Sequence, residues 1–264
     1  MDLELTGKVA IVTGGSAGVG KAVACELARE GVDVVICGRR REILEEAGRE
    51  LAQQTGRRIV PVPADTTKRD SVEQLVKETI AALGKVDILV NNAATPGGLV
   101  RGQLTDAGEE LLLEDINTKV VGYFRCAKAV TPHMRRQGWG RIINIGGLSG
   151  RQSGNISGLR NAAIVHLTKT LSDQLGPYGI TVNLVHPGTT RTERSGPMYA
   201  EQARQQGVTV EEIERRVAQN IAIRRIVDAK EVGYVVAFLA SPKATAITGE
   251  IIAAGGGSQR AVFQ

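Results

Sequence analysis

Seven short β-branched runs, each separated from the next by a longer stretch, constrain this chain more than any other feature. They are "KVAIVT" (8–13), "DVVIC" (33–37), "RIVPVP" (58–63), "VDILV" (86–90), "RIINI" (141–145), "ITVNLV" (180–185) and "EIIAA" (250–254). Apolar runs of four to six residues without alternation suit strands buried on both faces. Helical patterns lie between them at about 18–30, 41–54, 69–83, 118–136, 157–175 and 230–240. Strand–helix alternation implies right-handed crossovers, hence a Rossmann-type, doubly wound parallel α/β sheet of about seven strands with helices on both faces. No linker, repeat or low-complexity tract interrupts the pattern, so 1–264 reads as one domain. The exception is 189–223, a long polar excursion without a strand pattern that follows the sixth strand at its C-terminal end. Ligands of open α/β sheets bind at that edge, so the segment reads as a lid over a pocket. A surface helical hairpin used for subunit contacts is the alternative.

Composition removes several function classes. Aromatic residues make up 3% of the chain, too few for a base-stacking surface. The formal charge of +5 is scattered apart from Arg39–Arg40–Arg41, so no nucleic-acid-binding stripe is expected. Cys25, Cys37 and Cys126 have neither metal-site nor disulfide spacing and read as buried free thiols. No run approaches the roughly 20 apolar residues that span a bilayer, and no secretory signal pattern opens the chain. A cytoplasmic protein without membrane or metal is the expectation.

The first strand leads into "TGGSAGVGKAVACEL", where Gly14, Gly18 and Gly20, with Ser16 and Val19 among them, form a turn that opens a helix. Glycines here let backbone N–H groups approach a pyrophosphate, and the helix N-terminus favours its charge. The TGxxxGxG spacing resembles that of the short-chain dehydrogenase/reductase family. So do "NNAA" (91–94), "IN" ending at Asn117, "HPGTTRTE" with Pro187, Gly188 and Thr192, and "ITGEIIAAGGG". The resemblance spans nearly the whole chain. It implies a nicotinamide cofactor held by Gly14, Ser16, Gly18, Val19, Gly20, Asn92, Pro187, Gly188 and Thr192, with Asp65 beside the adenine. Asp65 in "DTTKRD" also suits a helix cap, and the two roles are compatible. At the end of the second strand, "ICGRRRE" offers no acid to bind a ribose 2′-hydroxyl. Arg39, with Arg40 second, suits a 2′-phosphate instead, so NADP is expected over NAD.

The resemblance also implies a Ser, a Tyr and a Lys four residues after the Tyr, with an Asn on a neighbouring helix. Sliding that pattern onto "SGLRNAAIVHLTKTL" puts Ser157 where the Tyr belongs and Asn161 where the Lys belongs, while Gly146 and Gly147 stand in the Ser's place. Only Asn117 keeps its residue type. The four tyrosines are Tyr123, Tyr178, Tyr199 and Tyr234, followed four residues on by Ala127, Val182, Ala203 and Phe238, so the chain has no Tyr-x-x-x-Lys. Asn117, Ser157 and Asn161 are therefore the expected lining of an atypical centre. Ser149, Ser153 and Arg160 are candidate substitutes, although Arg160 sits one position off the Asn161 face. His166 reads as a core or interface residue, His186 as positional rather than catalytic, and His133 as exposed.

Two functions remain. One is an NADP(H)-dependent oxidoreductase that reduces a carbonyl or polarised double bond. The other is a catalytically silent NADP-binding subunit or sensor. The resemblance further implies a homo-oligomer, a dimer or tetramer, packed through the helices at 118–136 and 157–175.

Overall fold

The computed structural model describes residues 1–100, 104–151 and 155–257. Ser153 lies outside these residues. Seven parallel strands, β1 (Val9–Thr13), β2 (Asp33–Gly38), β3 (Ile59–Pro63), β4 (Ile88–Asn91), β5 (Gly140–Ile145), β6 (Ile180–Pro187) and β7 (Ile251–Ala254), form one sheet in the order β3-β2-β1-β4-β5-β6-β7. The order reverses between β1 and β4, which opens a crevice at their C-terminal ends.

Each strand feeds two layers because successive side chains leave opposite faces. Ala10 and Val12 of β1, Val34 and Ile36 of β2, and Ile88 and Val90 of β4 pack on one side with α1 (Gly18–Arg29), α2 (Arg41–Thr55) and α9 (Ala229–Ala240). Ile11, Val35, Cys37 and Leu89 pack on the other with α3 (Arg69–Leu83), α5 (Gly122–Gln137) and the far end of α6 (Gly158–Leu175). The three cysteines are free and buried.

All seven expected strands form, with ends within two residues. Further elements lie outside that strand–helix pattern. A helix α4 (Glu109–Ile116) runs directly into a π-helical turn, Asn117–Val121, before α5 begins. The 189–223 excursion folds into α7 (Ser195–Gln206) and α8 (Val210–Gln219), which share a small core of Tyr199, Ala203, Ile213, Ile221 and Ile226. Contrary to expectation the excursion also contains strand structure: Thr190–Arg191 pairs in parallel with Val227–Asp228. A two-residue pairing is too short to leave a period in the sequence.

No helix among the described residues is long and apolar enough to cross a membrane. Leu27 of α1 is fully buried in the layer that α9 closes. Leu27→Ala should lower unfolding stability by about 2–5 kcal/mol in urea denaturation, because that layer leaves little room to collapse around the missing atoms.

Candidate active site

The glycine turn lies at the C-terminal end of β1. Gly14 and Gly18 have φ of 66° and 58°, which side-chain-bearing residues rarely adopt. Gly20 is needed for a different reason: a Cβ there would stand 2.3 Å from the Gly14 carbonyl oxygen. Asn92 braces the turn, donating from Nδ2 to the carbonyls of Thr13 (3.0 Å) and Gly14 (3.2 Å). Thr13 Oγ1 in turn accepts the N–H groups of Asn92 and Ala93. Val19 packs against the core, and Ser16 faces Gly38 at the end of β2.

The start of α1 has the character of an anion site. Its N-cap, Ala17, offers no side-chain hydrogen bond, and no acid stands in the first turn. The Gly18 N–H instead donates to Glu193 Oε1 at 2.8 Å, so a carboxylate from the distant 189–223 segment rests on the helix end. The Thr192 methyl group lies over Gly18, and Pro187 and Gly188 close β6 beside Gly255. Arg39 and Arg40 are exposed after β2 and make no ion pair among the described residues. Asp65 caps the turn before α3, accepting from the Thr67 N–H (3.0 Å) and hydroxyl (2.7 Å). Burial alone would raise its pKa, but the two Thr67 hydrogen bonds and the nearby Arg39 charge together hold the carboxyl below its ordinary range. This donor set fits a nicotinamide dinucleotide. Glu193 supplies the stand-in anion at the helix end, and the turn has no side chains to obstruct a pyrophosphate.

Beyond the turn, β5 ends at Gly146 and Gly147. His186 of β6 is buried, and its Nδ1 accepts the Gly147 N–H at 2.7 Å. Burial, with Arg151 and Lys119 nearby, pushes its pKa down to about 4, so this neutral imidazole fixes a backbone turn. Ser157, at the start of α6, is buried and clasps the loop after β4. Its hydroxyl accepts from the Val100 N–H (3.1 Å) and donates to the Val100 carbonyl (3.3 Å). Arg160 turns inward, donating to Asp115 Oδ1 (2.5 Å) and to the Thr95 carbonyl (2.9 Å). Ser157 and Arg160 thus hold the site's wall. His166 is exposed rather than a core residue, and His133 is half-buried beside Arg136 rather than exposed.

Ser157 and Asn161 share the site, and Asn117 opens the π turn that follows α4. Its carbonyl accepts from Arg125 Nη1 at 3.5 Å. Lys119 reaches the centre. Its Nζ donates to Asn161 Oδ1 (2.8 Å) and to the Gly146 carbonyl (3.0 Å), and the residue is 3% exposed. Asn161 Nδ2 passes the chain of bonds on to Ser149 Oγ at 2.9 Å. The resemblance sets a lysine at 161 facing an asparagine on the neighbouring helix. Here the amide stands at 161 and the cation comes from the neighbouring helix. The π turn explains why sequence spacing missed Lys119. Gly122 N–H bonds back to the Asn117 carbonyl, five residues earlier. The extra residue in that turn breaks the 3.6-residue phase and carries Lys119 to the inside.

A family model described as enoyl-(acyl carrier protein) reductase matches residues 14–259. The chain belongs to the short-chain dehydrogenase/reductase family. It is 34% identical to a 3-oxoacyl-(acyl-carrier-protein) reductase of Staphylococcus epidermidis over 95% of this chain and 98% of that one. It is 30% identical to an NADPH-dependent reductase of Bacillus subtilis over 97% and 99% of the two chains. The crystal structure of L-sorbose reductase from Gluconobacter frateurii, complexed with NADPH and L-sorbose, superposes with a TM-score of 0.93 at 28% identity, over 99% of this chain and 100% of that one.

Burial, with the Arg160 charge adding to it and Asp115 opposing, lowers the Lys119 pKa from 10.5 to about 7. The folded state therefore holds this proton less tightly than the unfolded chain. The stability it contributes is present above the ordinary lysine pKa and is lost as pH falls through the folded one. From about pH 10 down to about pH 7, wild type should lose stability relative to Lys119→Met by at most about 1.4 kcal/mol per pH unit, read from paired denaturation curves.

Proposed function

We propose that the chain is an NADP(H)-dependent reductase of a carbonyl or another polarised double bond, working with an atypical centre. The observation that carries this reading is the uncapped start of α1, with its Gly18 amide already on a carboxylate and Arg39 exposed at the neighbouring strand end. The NADPH-dependent relatives support it. When bound, the cofactor supplies hydride to the substrate. The chain's own residues do the rest. Gly14, Ser16, Gly18, Val19 and Gly20 hold the pyrophosphate against backbone amides. Arg39, seconded by Arg40, grips the 2′-phosphate, and Asp65 borders the adenine. Asn92 fixes the turn, while Pro187, Gly188 and Thr192 border the nicotinamide half. Ser157 and Asn161 shape the floor of the substrate pocket, Asn117 anchors the π turn through its carbonyl, and the 189–223 segment covers the pocket as a lid.

A second reading, a catalytically silent NADP-binding subunit or sensor, draws on one feature. The Ser157 hydroxyl spends its only donor on the Val100 carbonyl and accepts from the Val100 N–H, which leaves no proton to hold a substrate oxygen. We also propose a cytoplasmic homo-oligomer, dimer or tetramer, packed through α5 and α6. Phe124 on α5 and Leu159 on α6 are exposed, which supports that surface.

NADPH fluorescence titration followed by a turnover screen with ketones, aldehydes and enones separates the two readings. Tight binding with turnover is expected, and binding without any turnover would favour the silent subunit. Arg39→Ala should weaken NADPH by about 10–100-fold while changing NADH by less than about threefold, since a charge-assisted contact contributes about 1.5–3 kcal/mol.

A further inference from the structure

A reductase has to deliver a proton to the oxygen of its substrate, and neither Ser157 nor Asn161 can release one at neutral pH. Four ionisable side chains stand around Lys119, each from a different element. Arg160 of α6 is tied to Asp115 of α4 and to the Thr95 carbonyl, and a guanidinium does not deprotonate in proteins. His186 of β6 accepts on Nδ1 and stays neutral. Tyr123 of α5 donates its hydroxyl to the Ile145 carbonyl at 2.9 Å, and burial raises its pKa. Among the described ionisable residues around it, Lys119 is the group placed to give a proton.

Its geometry suits the task in both protonation states. An ammonium has three N–H donors, whereas a neutral amine has two donors and a lone pair. Lys119 has two acceptors, Asn161 Oδ1 and the Gly146 carbonyl, and it has no carboxylate within ion-pair distance among the described residues. Both acceptors stay satisfied once the third proton has left, so that third proton is the transferable one. Two bonds away Ser149 Oγ, partly exposed, accepts from Asn161 and keeps its own hydrogen for a substrate oxygen.

We propose that Lys119 is the proton-donating residue of this site, with Ser149 holding the substrate oxygen and Asn161 positioning both; this rests on the reductase reading above. The carbonyl carbon gains hydride from the cofactor, the C=O π pair moves onto oxygen, and that oxygen takes the third Nζ proton. Lys119 is left as a neutral amine and regains its proton from water. Burial of the ammonium, which brings its pKa to about 7, matches donor strength to neutral pH. Reduction should therefore slow, and alcohol oxidation quicken, as pH rises through that value.

The test uses the full chain. With lysines labelled with 13C at Cε, the resonance missing from Lys119→Met should titrate near pH 7 in the cofactor-free protein, well below the others. A midpoint above about pH 9 would overturn the proposal. In turnover of a reducible carbonyl with NADPH, Lys119→Arg keeps the charge but cannot release the proton. It should lose about 10²–10⁴-fold in kcat and the pH break, while NADPH Kd stays within about threefold. Lys119→Ala should regain part of its rate on addition of small primary amines, which should not help Lys119→Arg. Folded variants with wild-type kcat and an unchanged pH profile would remove Lys119 from the chemistry and leave the reductase reading standing. Failure of wild type to bind NADPH would remove both.

Discussion

A parallel sheet with both faces covered gives its polar groups one place to gather. Strand positions of β1, β2 and β4 are buried on either side, so chemistry is confined to their C-terminal ends. The order β3-β2-β1-β4-β5-β6-β7 parts its crossovers between β1 and β4, and the glycine turn and Asn92 follow the two strands that flank that opening. Everything assigned to the site follows from this confinement. The Thr13 hydroxyl, accepting two amides from beyond β4 while β1 turns into α1, holds the two halves of the crevice together.

Within that frame Lys119 of the π turn meets Asn161 of α6. Where the resemblance sets a Tyr and a Lys on α6, this chain has Ser157 and Asn161. The chain instead brings an ammonium across from the π turn onto the amide at 161. The wall around it is rigid for reasons unrelated to proton transfer. Ser157 fastens the loop after β4, Arg160 spans from α6 to α4 and to that loop, and His186 pins the end of β5. Ser157, Arg160 and His186 each bond this wall, and Lys119 bonds the Asn161 amide and the Gly146 carbonyl beside it.

The parts that could be read from sequence share a physical reason. Strands buried on both faces leave unmistakable apolar runs, and glycines that meet a carbonyl at contact distance admit no substitute. The parts that could not be read depend on tertiary contact. α4, "EELLLEDI", is short, acid-flanked and joined without a break to a π turn, so it carries no clean period of its own. The same turn holds Lys119 against the Asn161 amide, a contact that spacing along an unbroken α-helix does not reveal. That Ser157 bonds Val100 could not be foreseen either, since α4, α5 and β5 lie between them in the chain and only the tertiary fold brings the two together.

The bond between Glu193 and the Gly18 amide makes the chain a competitor for its own helix end. A phosphate arriving there exchanges one anion for another, so the affinity it shows is the difference between two contacts. That carboxylate belongs to the segment that leads into α7, so an anion seated on the Gly18 amide would displace Glu193 two residues before α7 begins. By thermodynamic reciprocity, whatever restrains that carboxylate in place must weaken the incoming anion to the same degree.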